Sequence, residues 1–201
     1  MPELFLQHAW IAIPIWALLY ISDYTLTLVC ARMYQNGVRE KIAFEGSYEL
    51  TPYFQRDIDS LRVVSPKFVA ALATTSILLI ILWWLAQLST PSLFLFPLGA
   101  VICSQLCIHI RHIRNFFMFK AASTDAVRGR IEYSRPLSLR ASSVEMLSFS
   151  GLFLILYIFT GSWFILGGVL SLLSVAAKHS KLARHYVSPE KPQQIAASGI
   201  G

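Results

Sequence analysis

Few residues in this chain have chemistry to offer, and most of them sit in apolar company. Cys103-x3-Cys107-x-His109-x2-His112 brings four metal-ligand side chains into one short run. A helix advances 100° per residue, which places both cysteines on one face and His109 with His112 on nearly the opposite one. One ion could not reach both pairs. His109 and His112 share their face with Gln105, but histidines at a membrane interface beside Arg111 and Arg114 are the simpler reading. Ser142-Ser143-Val144-Glu145 has the spacing of a capping box, so Glu145 is expected to cap a helix start rather than act as a catalytic acid. The sequence holds no HExxH, no GxSxG and no glycine-rich phosphate loop, and no second acid is placed to make a catalytic pair. No catalytic residue, metal ligand or cofactor is therefore assigned.

Asp23 stands out more sharply. It lies in ISDYTLTLVC (21–30), a segment otherwise apolar, aromatic or hydroxylic. A carboxylate at the centre of a membrane helix costs about 2.5–3.5 kcal/mol on insertion scales, so its position asks for a reason. Asp23, Thr75, Gln105, Ser148 and Ser171 each lie six to nine residues in from the charge that ends their apolar segment. At 1.5 Å per residue they would form one polar layer about 9–14 Å inside the charged ends. Within it, Asp23 is expected to face the protein interior and to be held by Gln105 or by a hydroxyl of Thr75, Ser148 or Ser171, since Lys and Arg lie too far away except by long snorkelling. Either Asp23 binds a cation or relays a proton in a vestibule, or it fixes helix packing. One acid alone favours packing, with Gly167, Ser171 and Ser174 as a small-residue contact stripe.

The elements that would position these residues are membrane helices. With 201 residues, 55% of them hydrophobic and only 14% charged, the chain has too little polar surface for a soluble globule of its size. Hydropathy gives five spans, roughly Leu4–Cys30, Lys67–Leu88, Pro91–Ile110, Ala141–Phe159 and Trp163–Ala177, each near the ~20 residues that cross a bilayer. Ser65-Pro66 and Thr90-Pro91 supply a capping hydroxyl and a first-turn proline to the second and third. Pro14 is expected to bend the first. All seventeen Lys and Arg residues fall in 32–67, 111–140 or 178–191. An outside N-terminus puts all three segments in the cytoplasm, and Trp10, Trp83, Trp84 and Trp163 then sit at outer ends. The expected fold is all-α: a polytopic bundle of five transmembrane helices forming one domain over 1–188, with a cytoplasmic C-terminus. The tail 189–201 is polar and unpatterned and is expected to be disordered. Met1–Gln7 has no basic residue, so the first span is expected to stay in the mature protein rather than act as a cleavable signal. The three cysteines fall in apolar segments and make no disulfide framework.

The two longer cytoplasmic segments differ. Segment 32–66 balances five basic residues with five acidic ones, whereas 111–140 carries seven basic against two acidic. Positive-inside selection accounts for that excess, and a surface for anionic lipid or an acidic partner is the functional alternative. EGSYELTPYFQRDID (45–59) mixes acids, aromatics and a Thr-Pro break, and reads as an ordered turn that packs on something. Glu49 and Asp57 are expected to meet the basic segment at Arg128, Arg130 or Arg135. Asp23 with Thr25, followed by Glu49-Leu50-Thr51-Pro52, resembles small polytopic membrane proteins in which an acid and a hydroxyl in the first span precede an E-x-N-P element. Thr51 stands here where Asn would be expected, the likeness covers about a quarter of the chain, and it implies no activity. The bilayer is the partner composition implies, and nucleic acid is not one. The expected function is a non-enzymatic membrane subunit that assembles with itself or in a larger complex. An oligomeric ion channel or proton-coupled transporter using Asp23 stands second, and a membrane-embedded enzyme third.

Overall fold

The structure is a computed structural model and describes residues 5–6, 8–124 and 126–186. Asp125 and the tail 189–201 lie outside the described residues. Five helices are long and apolar enough to cross a membrane. They are α1 (Ala9–Met33), α4 (Pro66–Gln87), α5 (Leu95–Ser123), α6 (Arg135–Thr160) and α7 (Trp163–His185). Shorter pieces fill the connections. A kink over Tyr34–Val38, where Asn36 and Gly37 leave helical geometry and Gly37 has φ 116°, leads into α2 (Arg39–Lys41), strand β1 (Ile42–Phe44) and helix α3 (Gln55–Asp59). A 3-10 turn, Pro91–Phe94, opens α5, and strand β2 (Ile131–Tyr133) precedes α6.

Helix α5 is the hub: it touches both α1 and α7, while α4 packs on α1 and α6 on α7. Contacts fix the directions. Ser22 meets His109 and Cys30 meets the main chain of His112, so α1 and α5 run parallel. Trp83 and Gln87, at the end of α4, both donate to the carbonyl of Leu6, which brings α4 back to the start of α1. Ser142, near the start of α6, meets His179, near the end of α7. The described Lys and Arg residues therefore share one end of the bundle.

Close approach of α5 and α7 depends on two glycines. A Cβ on Gly99 would collide with the main-chain carbonyl of Phe164, and one on Gly167 with that of Phe96. Gly161, with φ 59°, takes the left-handed turn between α6 and α7 that a side chain would strain.

Two expectations need correcting. The third helix does not stop with its apolar segment at Ile110 but continues to Ser123, because Arg111–Phe119 keeps helical residue types and buries Phe119 completely. The fourth helix starts at Arg135, not Ala141, with Ser134 accepting from the N–H of Leu137 and Pro136 in the first turn. Ser142-Ser143-Val144-Glu145 consequently lies inside the helix and is no capping box. Ser65, by contrast, caps α4 as expected, through the N–H of Phe68.

The all-α expectation also misses a small sheet. β1 and β2 pair in parallel, Ile42 with Ile131 and Phe44 with Tyr133, and cap the basic end. Beneath them lies an aromatic cluster. Tyr34, Phe44 and Tyr48 surround Phe119, and the Tyr133 ring stacks on Phe44 at 5.3 Å. The alternating Ile-Ala-Phe and Ile-Glu-Tyr runs are too short to stand as strands alone, and this packing holds them.

Candidate functional site

Two features at the basic end combine polar chemistry with burial: a seam between α1 and α5, and a cavity bounded by α5, α6 and the cap.

The seam is built from residues one and two turns apart on two parallel helices. On α1 these are Asp23, Thr27 and Cys30, and on α5 Gln105, His109 and His112. Thr27 donates its hydroxyl to the carbonyl of Asp23 at 2.9 Å, so at its 3.2 Å contact with His112 Nε2 the threonine oxygen is the acceptor and the imidazole the donor. Asp23 Oδ1 also lies 3.2 Å from His112 Nε2, near enough for an ion pair without the alignment of a hydrogen bond. His109 Nδ1 donates to the carbonyl of Gln105 at 2.7 Å, and its Nε2 lies 2.7 Å from the Ser22 hydroxyl, which also reaches the carbonyl of Leu19 at 2.9 Å. Asp23 is thus held by a histidine from a neighbouring span, not by Gln105 or by the hydroxyls of Thr75, Ser148 or Ser171. The reason is the helical run past Ile110, which keeps His112 in register with α1.

The other members of the expected layer go elsewhere. Ser171 donates to the carbonyl of Ala100 and meets Ser104 at 2.6 Å in the α5–α7 contact. Ser148 is exposed and donates to Val144 of its own helix. Thr75 is half-buried on α4, and Gln105 is buried with its Oε1 unpartnered. No hydrogen bond joins any two of the five side chains among the described residues.

Segment 45–59 is ordered, and it docks on the start of α6. Arg135, buried, donates from Nη1 to the carbonyls of Ser47 and Glu49 and from Nη2 to that of Leu50, at 2.9–3.1 Å. Its main-chain N–H donates to Glu45 Oε2. Arg135 therefore reads main-chain carbonyls, not the expected acids. The carboxylate of Glu49 accepts from the N–H of Thr51 at 2.6 Å, closing the turn within the E-x-T-P element. Asp57 is buried, accepts from Ser65 at 2.6 Å and faces Arg62 at 3.5 Å, so it braces the start of α4. Arg128 and Arg130 are exposed and meet neither acid.

Between α5, α6 and this docked turn lies a cavity of about 340 Å³. Its polar lining includes Arg111, His112, Arg114, Ser138, Ser142 and Glu145. Arg114 pairs with Glu145 at 2.8 Å, whereas Arg111 donates to Ser142 at 2.6 Å and makes no ion pair among the described residues. Tyr48 reaches the cavity from the cap, accepts from Asn115 at 3.3 Å, and has its phenol pushed far above the ordinary range by burial. No group of three or more metal-ligating side chains occurs among the described residues.

Sequence reasoning missed the pairing of Asp23 with His112 and the cavity that Arg111 and Ser138 line. A signal for the first was present, since both helices repeat polar or sulfur-bearing residues at matching intervals. For the second there was none, because the cavity exists only once the cap is folded. In comparisons with protein-family models, curated proteins and solved structures, nothing matches this chain.

Proposed function

We propose that the protein is a five-span membrane protein with its basic end in the cytoplasm, working as a non-enzymatic subunit that joins copies of itself or a larger complex through the capped end. The observation that carries this reading is how the polar groups inside the spans are used. Asp23 and Ser22 engage His112 and His109, and Ser171 engages Ser104, all from one helix to another. Such contacts hold helices together where apolar surface, equally at home in lipid, cannot. Broad apolar faces support insertion: Ile158, Phe159 and Leu152 on α6 and Ile77, Ile80 and Trp84 on α4 are exposed, a load of surface that fits hydrocarbon and not water. Exposed Arg128 and Arg130 beside the cap offer charge to an acidic partner.

A second reading has one specific observation behind it. His112 touches both Asp23 and the cavity, so a single imidazole links the intramembrane acid to a polar space. That is the geometry of a proton relay. The two readings part on Asp23→Asn, which keeps the size and most hydrogen-bonding capacity of the side chain but cannot titrate. In reconstituted vesicles the assembly reading predicts no proton flux in the wild type, near-normal stability for Asp23→Asn, and lost stability for Asp23→Leu. Wild-type flux abolished by Asp23→Asn in a protein that still folds would overturn it.

A further inference from the structure

Arg111 is the starting point. Its guanidinium can donate five hydrogen bonds, yet it makes one, to Ser142, while the neighbouring Arg114 has a carboxylate. Two more polar atoms on the walls of the same cavity are buried without a partner: His112 Nδ1 and Ser138 Oγ. The His112 side chain is only 8% exposed. Buried polar groups are nearly always satisfied, and leaving one unmade costs about 1–3 kcal/mol, so three under-used groups around one space describe the outline of a ligand.

Its chemistry follows from theirs. A half-buried guanidinium with free N–H groups calls for an oxyanion, which it binds by parallel hydrogen bonds. With Nε2 donating to Thr27, Nδ1 of the neutral imidazole is an acceptor and needs a hydroxyl on the ligand, whereas the doubly protonated ring would donate to an oxyanion. A phosphate monoester presents both P–O⁻ and P–OH near neutral pH, its second pKa lying at about 6. Serine can serve either kind of oxygen. The other charged groups facing His112 are Asp23 from α1, Arg111 and Arg114 from its own helix, Glu145 from α6 and Glu49 from the docked turn. Both cavity acids are engaged, Glu145 with Arg114 and Glu49 with the N–H of Thr51. Phe44, Leu50 and Met118 complete the walls. That apolar share suits a phosphate carried on hydrocarbon better than a free ion, and a volume of about 340 Å³ suits a headgroup with its first methylenes rather than a whole lipid.

We infer that the cavity is a binding site for the phosphomonoester headgroup of an anionic lipid, with Arg111 holding the oxyanion and His112 Nδ1 and Ser138 Oγ completing its hydrogen bonds. The inference rests on the proposed placement of this end at a membrane surface and names what the subunit binds there.

The test uses the full chain in phosphatidylcholine nanodiscs, which expose both faces and so make the result independent of orientation. Calorimetric titration with dioctanoyl phosphatidic acid is expected to show saturable one-to-one binding. Arg111→Gln should weaken it about tenfold or more and Ser138→Ala about fivefold, following the loss of a charge-assisted and a neutral hydrogen bond. Arg140→Gln, an exposed arginine on α6 away from the cavity, should leave it unchanged. Circular dichroism melts separate loss of the site from loss of the fold, and Ser138→Ala carries the test if Arg111→Gln does not fold. Absence of saturable binding, or equal weakening by Arg140→Gln, would overturn the inference while leaving the assembly reading standing. Inorganic phosphate binding as tightly as the lipid would overturn it too, by assigning the site to a soluble ion.

Discussion

Asp23, Thr27 and Cys30 on α1 and Gln105, His109 and His112 on α5 repeat at the same interval, four residues and then three, and the structure lays these two stripes together. Each stripe is legible as a helix face. What the sequence does not show is that they meet, because that depends on α5 continuing as a helix beyond its apolar segment. The sequence therefore left His112 as an interfacial histidine, without its contact to Asp23 and Thr27 of α1. Arg135 teaches a related lesson. Its neighbours in sequence suggested acid partners, but a guanidinium in a fixed fork is equally fitted to converging carbonyls, and the turn supplies three. Arg135→Lys should accordingly behave nearly as badly as Arg135→Ala, each losing about 2–3 kcal/mol, since an ammonium on a flexible stem cannot span the same carbonyls. Limited proteolysis reads the outcome: both variants should be cut within 45–59 under conditions where the wild type is not. Intact 45–59 in both would show that the turn needs no arginine to dock.

At the scale of elements, hydropathy placed five apolar segments where five long helices occur. It could not place their charged extensions. Arg111–Phe119 opens on two arginines and closes on three phenylalanines, so its charged start ends the apolar window although Phe119 is wholly buried under the cap. The short parallel strands were illegible for a different reason: three-residue runs carry almost no pattern, and their partners are almost ninety residues apart. Gly99 and Gly167 lie between these extremes. Gly167 was expected in a small-residue stripe, and the structure adds that the facing atoms are backbone, which cannot move aside as a side chain would. Gly167→Ala should therefore cost about 2–3 kcal/mol or more and separate α5 from α7. Gly151→Ala, on α6 with open space around it, should cost nothing measurable. Thermal unfolding in detergent compares the pair, and equal stability of the two variants would mean that the close approach of α5 and α7 contributes little.

For the whole molecule, charge and fold agree on an axis. Among the described residues, every Lys and Arg lies at one end of the bundle, the end with the cap, the cavity and the docked turn, while the short α6–α7 turn lies at the other. A bilayer with an outward N-terminus would then receive all positive charge on its cytoplasmic side. The assembly surface, the headgroup site and the reading of Asp23 all assume that five helices thread the membrane this way. Site-directed labelling measures it most directly. In a chain with alanine at Cys30, Cys103 and Cys107, single cysteines are introduced at Ala126, exposed beyond α5, and at Thr160, exposed at the end of α6. An impermeant maleimide added to intact cells should label Thr160→Cys and spare Ala126→Cys until the membrane is opened. Labelling of Ala126→Cys from outside, or of both positions from the same side, would contradict the account.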